Sequence, residues 1–178
     1  MSDDFRFCPR CATPLQWRAQ QEDGGPRERL CCPACGFTHW NNPTPVLAAV
    51  IECSDREGRL LLARNAAWSG RMFALITGFM EAGETPEQGI RREVAEETSL
   101  QVQSLSLIGV YDFQRMNQLI VAYHATAVGE IHLSPELAEY RLFAPQDVRC
   151  WRAGTGYALA DYLRARGHEP RFFDPHTP

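Results

Sequence analysis

Lysine is absent from this sequence of 178 residues, and all 18 basic residues are arginine. The absence excludes the phosphate-binding lysine of a Walker-type loop and any enzyme that forms a Schiff base through a lysine amine. An excess of positive charge is absent too, since the formal net charge is −4 and the first 40 residues contain five arginines and five acidic residues. A nucleic acid is therefore not an expected partner.

Long apolar segments are also missing. No run approaches the roughly 18 to 20 apolar residues of a membrane-spanning helix, and the first six residues lack the basic and apolar regions of a secretory signal peptide. We therefore expect a cytoplasmic protein without membrane contact. In that reducing compartment the seven cysteines are not expected to form a disulfide framework, and their odd number fits a metal site plus spare thiols.

Four of the cysteines form two Cys-x-x-Cys pairs, Cys8 to Cys11 and Cys32 to Cys35, separated by 20 residues. This spacing is typical of ribbons in which four thiolates surround Zn²⁺ as a tetrahedron. Four sulfur ligands leave no open coordination position, so the predicted site is structural. Two redox dithiols are the alternative, but neither pair stands at the strand-to-helix junction of a thioredoxin-like motif. The other cysteines, which are not predicted ligands, are Cys31, Cys53 and Cys150.

The rest of the chain combines short strands with two helices. Apolar runs at 46–51 and 60–63 flank a polar turn and predict a β-hairpin. Further strands are predicted at 73–77, 105–111 and 119–128, and helices at 86–98 and 156–166. These elements indicate an α+β fold with a mixed sheet packed between helices. A proline-containing hinge separates them from the cysteine-rich start, so the predicted domains are 1–40 and 41–178.

The helix predicted at 86–98 begins with a capping box. Thr85 is the expected N-cap, Pro86 occupies the first helical position, and Gln88 can bond back to the N-cap backbone. Local chemistry therefore sets the first residue of this helix, and each later residue can be assigned to a helix face.

Three glutamates share one face of this helix, at the spacings i, i+3 and i+4: Glu93, Glu96 and Glu97. Like charges stacked in this way oppose folding by roughly 0.2–0.5 kcal/mol per pair, so a cation should compensate them. Mg²⁺ is suited to this, because it binds oxygen ligands while bridging to substrate phosphates. Arg92 can pair with these carboxylates or with a phosphate, and Glu84 can orient the cluster. A surface helix with solvated acids is the alternative.

The loop before the helix favours the metal site. From Gly78 to Leu100 the segment resembles the Nudix box: Gly, five residues, Glu, seven residues, Arg-Glu, an aliphatic residue, any residue, Glu-Glu, any residue, Gly and an aliphatic residue. Every position matches except Ser99, where the family has glycine. That position ends the helix in a left-handed conformation, so serine should cost about 1 kcal/mol of stability without affecting the chemistry. The resemblance implies the Nudix fold.

The same resemblance implies a hydrolase that splits a nucleoside diphosphate from a linked group, by attack of water on phosphorus with Mg²⁺ or Mn²⁺. Carried over by position, it implies Glu93 and Glu97 as the main metal ligands, together with the backbone carbonyl of Thr77. Glu96 is implied as a further ligand or as the group that activates water. The implied catalytic residues are Glu84, Arg92, Glu93, Glu96 and Glu97.

The stretch 76–84, preceded by a four-cysteine ribbon, is similar to the NADH pyrophosphatase branch of the family. In that branch a glutamate beyond the specificity loop completes the metal site. Glu136 stands at the corresponding position here, and Glu139 is the alternative. The other interpretation is that both acids are exposed to solvent ahead of the last strand.

The specificity loop departs from that branch. The NADH-cleaving enzymes carry Gln-Pro-Trp-Pro-Phe-Pro-x-Ser, whereas residues 111–118 here read Tyr-Asp-Phe-Gln-Arg-Met-Asn-Gln. NADH is therefore not the expected substrate. ADP-ribose or a dinucleotide is expected instead, with NADH or NAD hydrolysis and removal of an NAD cap from RNA as alternatives. The predicted substrate-binding residues are Phe113, Arg115 and Asn117, of which Phe113 either stacks on a base or packs in the core.

Two other classes of protein stay open. Nudix-like domains can bind nucleotides without cleaving them, but such sensors usually lose acids of the box, and here all are present. The ribbon could recruit the domain to capped RNA, although its balanced charge argues against nucleic acid. The expected partner is a small nucleotide, and a homodimer is compatible with these features.

Overall fold

The computed structural model describes residues 5–70 and 72–173 of the chain. The chain divides into two compact units, Met1–Asn42 and Pro43–Pro178. The outer ends of the two predicted domains lie outside the described residues. None of the helices in the described ranges is both long and apolar enough to cross a membrane.

The first unit contains a three-stranded antiparallel sheet, formed by β1 (Gln16–Glu22), β2 (Gly25–Cys31) and β3 (Thr38–His39). β1 and β2 form a tight hairpin, in which Gln16 lies opposite Cys31. Gly25 has a φ of +100°, a conformation that glycine adopts without steric cost. Because the hairpin folds back on itself, the residues before β1 and those after β2 meet at one end of this sheet. The two Cys-x-x-Cys pairs occupy those positions.

The second unit is built on a six-stranded sheet. Its elements in chain order are β4 (Thr44–Cys53), β5 (Arg59–Asn65), β6 (Ile76–Phe79), α1 (Pro86–Thr98), β7 (Gln101–Phe113), a 3₁₀ turn (Gln114–Met116), β8 (Gln118–Val128), β9 (Leu137–Phe143), β10 (Arg149–Trp151), α2 (Thr155–Ala165) and β11 (Arg171–Phe173). The strand order is β7-β8-β4-β5-β9, and β6 pairs with β4. β4 and β8 run parallel and the other pairs of this sheet antiparallel, so the predicted mixed sheet is confirmed.

The sheet is covered on both faces, as its alternating side chains require. Ile51 and Leu61 belong to the core on the α1 side, which Ile90 of the helix completes. Val50 belongs to the opposite core, where Leu159 of α2 packs. The site described below lies where α1, β4 and β6 come together.

One predicted strand is displaced along the chain. The prediction placed it at 73–77, whereas β6 covers Ile76–Phe79. Ala74 instead forms an isolated bridge with Ala63 of β5, through two backbone hydrogen bonds of 2.8 and 2.9 Å. The segment thus changes partner from β5 to β4, and a run of apolar residues cannot reveal such a change. The predicted hairpin and both helices are confirmed within one residue at the helix ends.

Candidate active site and zinc site

The two cysteine pairs of the first unit converge on one point. The Sγ atoms of Cys8, Cys11, Cys32 and Cys35 all lie within 4.8 Å of one another. The separations are 3.5 Å for Cys8–Cys35 and Cys11–Cys32, and 3.6 Å for Cys11–Cys35. Thiolates at about 2.3 Å from Zn²⁺ in a tetrahedron would be about 3.8 Å apart, so the four sulfurs fit a closed zinc site.

Backbone hydrogen bonds shape each pair into a knuckle. The Ala12 and Gly36 amides donate to the carbonyls of the first cysteine of each pair, at 2.9 and 3.1 Å. Both residues have positive φ, +57° for Ala12 and +72° for Gly36, which turns the chain back after the second cysteine. Glycine adopts this turn without strain, whereas alanine is strained in it. We infer that both knuckles adopt the conformation because it brings the four thiolates together.

The other three cysteines lie apart from this cluster. Cys31 is buried, and its Sγ lies 3.8 Å from the Thr38 hydroxyl. Cys53 and Cys150 are fully buried in the second unit, and burial raises the pKa of each thiol to about 11. They are inert core residues, as expected from the sequence.

The capping box of α1 is present as predicted. The Gln88 amide donates to the Thr85 hydroxyl at 3.3 Å, and the Thr85 amide donates to the Gln88 side chain at 2.8 Å. At the other end, Ser99 caps the helix in the left-handed conformation, with φ +60°. This is the position at which the sequence departs from glycine.

Arg92 is the centre of an ion-pair network that joins the loop to the helix. Its guanidinium donates to both carboxylate oxygens of Glu84 at 2.8 and 3.1 Å, to Glu93 at 2.6 Å and to Glu96 at 3.1 Å. It also donates to the Phe79 carbonyl at 3.1 Å. Arg92 is thus occupied by neighbouring carboxylates, the first of its two predicted uses, and this pairing lowers the pKa of Glu84.

Five glutamates line a cavity of about 440 Å³ beside α1. These are Glu81, Glu93, Glu96, Glu97 and Glu136, and we call this space the acidic cavity. Thr77 and Gly78 form its floor. A Cβ on Gly78 would lie 1.9 Å from the Glu93 carboxyl carbon, so glycine is needed for the close approach of this backbone to the carboxylate.

The negative charge of the acidic cavity is compensated only in part, by the pairing of Arg92 with Glu93 and Glu96. Burial, followed by repulsion from Glu93, Glu136 and Glu96, raises the pKa of Glu97 to about 7. The hydroxyl of Ser134, which lines the same region, is buried without a hydrogen-bond partner among the described residues. Clustered carboxylates with unmet polar groups fit a hard divalent cation with oxygen ligands.

The structure separates the two candidates for the additional glutamate. Glu136 lines the acidic cavity with Glu93 and Glu97. Its neighbour Ser134 donates its amide to the Glu97 carbonyl at 3.0 Å, which ties this segment to α1. Glu139 lies on β9 opposite Arg64, and its carboxylate accepts from Arg141 at 3.0 Å. Of these two acids, the acidic cavity therefore includes Glu136 alone.

A second cavity of about 580 Å³ adjoins the first, and we call it the apolar cavity. The two share Val46, Thr77 and Gln118. Phe113 and Arg115 line the apolar cavity as substrate-binding candidates, and the Arg115 guanidinium lies 5.8 Å from the centre of the Phe113 ring.

The expected core packing of Phe113 is confirmed, because its half-buried ring packs against a small core cluster that includes Ile120, whereas its stacking on a base stays a prediction. Asn117 ends the 3₁₀ turn with φ +50° and is not among the residues that line either cavity. Its predicted contact with substrate stays a prediction.

Several residues that line the two cavities were not predicted from the sequence. Trp68, Trp151 and Met116 line the apolar cavity, and Phe79, 59% exposed, lines the acidic one. Phe79 stands within the box and is the last residue of β6, where the strand gives way to the loop before α1. The two tryptophans come from positions 83 residues apart, so no local spacing could have paired them.

Comparisons with known proteins agree with this geometry. The NUDIX domain family matches residues 43–163, and the Nudix N-terminal zinc-ribbon family matches residues 6–41. Among solved structures, a NUDIX hydrolase from Nitrosomonas europaea superimposes with a TM-score of 0.76 at 29% identity, covering 95% of this chain and 97% of that one.

Two curated relatives are NAD-capped RNA hydrolases named NudC. The protein of Stutzerimonas stutzeri strain A1501 is 31% identical over 135 residues, which is 75% of this chain and 46% of the relative. That of Pseudomonas aeruginosa strain LESB58 is 34% identical over 128 residues, 71% of this chain and 42% of the relative. This chain spans less than half the length of either. It belongs to the Nudix family of hydrolases and carries the family's N-terminal zinc ribbon.

Proposed function

We propose that this Nudix hydrolase splits a nucleotide-linked diphosphate, with the diphosphate in the acidic cavity and a base in the apolar cavity. The observation that carries the proposal is that the two cavities adjoin and share Val46, Thr77 and Gln118. A substrate that joins a base to a diphosphate has the matching arrangement, with an apolar, aromatic group at one end and an anionic group at the other.

Enzymes of this family use Mg²⁺ or Mn²⁺, and the acidic cavity has the oxygen ligands for it. We assign the ligands to Glu93, Glu97 and Glu136, with the Thr77 carbonyl. The bound cation supplies charge neutralisation at phosphorus and a more acidic water. To Glu96, whose side chain is 61% exposed, we assign the role of accepting a proton from the attacking water.

Arg92 and Glu84 affect the reaction by positioning the loop and the metal-binding carboxylates. Their paired hydrogen bonds connect the loop to the helix, and Arg92 also orients Glu93. We expect Arg92→Lys to weaken this arrangement, because an ammonium group cannot reproduce the planar fork.

For the base, we assign one face to Phe113 and the surrounding walls to Trp68 and Trp151. Stacking on an aromatic side chain contributes roughly 1–3 kcal/mol per base. Such stacking accepts different bases, which agrees with the absence of the proline-tryptophan motif of the NADH-cleaving branch. ADP-ribose or a dinucleotide is the proposed substrate.

A second candidate is the NAD group, free or as a cap on RNA. It is favoured by the two relatives at 31% and 34% identity that are named NAD-capped RNA hydrolases. The specificity loop, Tyr111 to Gln118, lacks the motif of the NADH-cleaving branch and disfavours the reduced dinucleotide.

Initial rates on a panel of substrates test both candidates. The panel contains ADP-ribose, NAD, NADH, a dinucleoside tetraphosphate, ATP and an NAD-capped oligonucleotide, each with Mg²⁺ and with Mn²⁺. We expect AMP as a product and kcat/KM for ADP-ribose or NAD well above that for NADH. Preference for NADH would contradict the specificity assignment. Saturable binding without cleavage of any substrate would contradict the proposed function and indicate a nucleotide sensor.

A further inference from the structure

A third cavity is lined in part by residues that directly follow Trp68, the loop residue that lines the apolar cavity. It measures about 590 Å³ and is lined by Arg64, Ser69, Gly70, Phe73, Glu139 and Arg141. Two arginines and one glutamate make this the reverse of the acidic cavity, which has five glutamates and no cation among its described lining residues. We call it the arginine cavity.

Strand pairing makes Arg64 and Arg141 diagonal neighbours on the sheet. Arg64 of β5 lies directly opposite Glu139 of β9. Arg141 lies opposite Leu62, which is two residues before Arg64 on β5. Diagonal neighbours of this kind are within reach of long side chains on the same sheet face. The Arg141 guanidinium lies 4.6 Å from the centre of the Phe73 ring, which holds it over the cavity.

One carboxylate serves both arginines. Arg141 donates to a single oxygen of Glu139 through Nε and Nη2 at 3.1 and 3.0 Å, whereas Arg64 stays 3.8 Å from the other oxygen. The described lining therefore has one positive charge in excess, in a chain of net charge −4. Arg92 is already paired with three carboxylates, so it is not available to a further phosphate of the ligand.

The loop between β5 and β6 joins this cavity to the other two. Its base is closed by the Ala63–Ala74 bridge, and the Ala66 amide donates to the Glu136 carbonyl at 2.8 Å. Trp68 of this loop lines the apolar cavity, while Ser69 and Gly70 line the arginine cavity. This loop thus contributes neighbouring residues to the apolar cavity and to the arginine cavity.

We propose that Arg64 and Arg141 bind a phosphate group of the ligand other than the diphosphate that is cleaved. The inference rests on the proposed function for its biological meaning, but the site itself is defined by the arginine cavity. Guanidinium groups suit phosphate because their planar N–H groups match its oxygens. The phosphate is either the terminal group of a small nucleotide or a phosphodiester of an attached oligonucleotide.

A titration with inorganic phosphate tests the site without any cleavage. The zinc-loaded protein is kept free of Mg²⁺ and Mn²⁺, so the glutamates of the acidic cavity repel the anion. We expect the Ser69 and Gly70 amide signals in ¹⁵N-correlated NMR spectra to shift and saturate at millimolar phosphate. Arg141→Gln and Arg64→Gln should each weaken binding about tenfold, since a charge-assisted hydrogen bond is lost.

Glu139→Gln is expected to act in the opposite direction, and to tighten phosphate binding at least about threefold by removing a competing charge. Arg59→Gln is the matched control, because Arg59 lies on the same strand in an exposed ion pair with Glu57. It should leave phosphate binding unchanged. Shifts that do not saturate, or an Arg141→Gln variant that binds phosphate like the wild type, would overturn the proposal.

A 5′-phosphorylated trinucleotide separates the two sources of phosphate. Binding at least tenfold tighter than inorganic phosphate, with the advantage lost in Arg141→Gln, would identify a polynucleotide chain as the ligand. Equal affinity would identify a single terminal phosphate. Because neither titration involves cleavage, an inactive substrate panel would refute the proposed function and leave this site standing, and absent phosphate shifts would do the reverse.

Discussion

The zinc cluster and the acidic cavity both gather four or more negatively charged ligand groups, yet they differ in how they are built. The four thiolates come from two knuckles that are each four residues long, and backbone amides turn each knuckle into shape. The carboxylates come from a helix, a loop and the segment before β9, and Glu97 has its pKa raised to about 7. A closed set of ligands makes a structural site, whereas an open and electrostatically strained set can exchange water and substrate.

A partly buried carboxylate elsewhere in the fold supports this contrast. Glu52 of β4 accepts from the Tyr162 hydroxyl at 2.9 Å and forms an ion pair with Arg166 at 3.2 Å, and the His124 ring lies 2.9 Å away. Side chains alone therefore satisfy Glu52. Among the described residues no such set of donors surrounds the Glu97 carboxylate, so its charge is left for a cation.

Loss of zinc should have the largest effect of the changes considered. We expect about one zinc per chain by elemental analysis, and Cys32→Ser should reduce it to below about a tenth and unfold the first unit, since structural zinc contributes roughly 10–16 kcal/mol of folding energy in small domains. Cys31→Ser is the control, because Cys31 is adjacent and buried but lies outside the cluster. Equal zinc loss in both variants would contradict the assignment of ligands.

Glu97→Gln should lower kcat by roughly 100-fold or more, because it removes a metal ligand. The same variant should be more stable than wild type without divalent metal, since it relieves burial of a charge and its repulsion by Glu93 and Glu136. Steady-state kinetics and urea unfolding without metal measure the two effects. Glu130→Gln is the control, as Glu130 is an exposed acid paired with His132. Near-normal turnover at saturating Mg²⁺ would remove Glu97 from the site.

Stacking and packing by Phe113 can be separated with Trp68. Phe113→Ala should raise KM about 5- to 100-fold through lost stacking and also lower the melting temperature, because the ring packs on the core. Trp68→Ala should raise KM with little change in melting temperature, since Trp68 is 44% exposed and outside the core clusters. An unchanged KM in both variants would contradict the proposed binding of a base in the apolar cavity.

The smallest expected effect concerns His124. Burial lowers its pKa below the ordinary value of 6.5, Arg166 adds to this, and Glu52 opposes it. Between the folded-state and unfolded-state pKa values of His124, the unfolded chain therefore binds more protons than the folded chain. The stability that neutral His124 contributes is thus present above pH 6.5 and is lost as the pH falls. The charged and polar groups around the ring are Glu52, Tyr162, Arg166 and Ser106.

His124→Gln should flatten the pH dependence of unfolding between pH 7 and pH 5, as measured by urea denaturation. Zinc content and kcat should be unaffected, because the residue touches neither site. A variant with the wild-type pH dependence would show that other groups control acid unfolding.

The sequence by itself determined the parts of this protein that depend on neighbours along the chain. The capping box of α1, the left-handed Ser99, the stacked glutamates and the two cysteine knuckles each involve residues a few positions apart, so helical and turn geometry specifies them. The mixed sheet followed from the order and character of the strands.

Only the tertiary structure decided which distant side chains share a cavity. Glu136 and Glu139 are three residues apart, but Glu136 precedes β9 and lines the acidic cavity, whereas Glu139 lies on β9 opposite Arg64 and lines the arginine cavity. Phe113, Trp68 and Trp151 line one cavity although they lie far apart along the chain. Such contacts depend on strand register and on packing between layers, and these are properties of the whole chain that no local spacing contains.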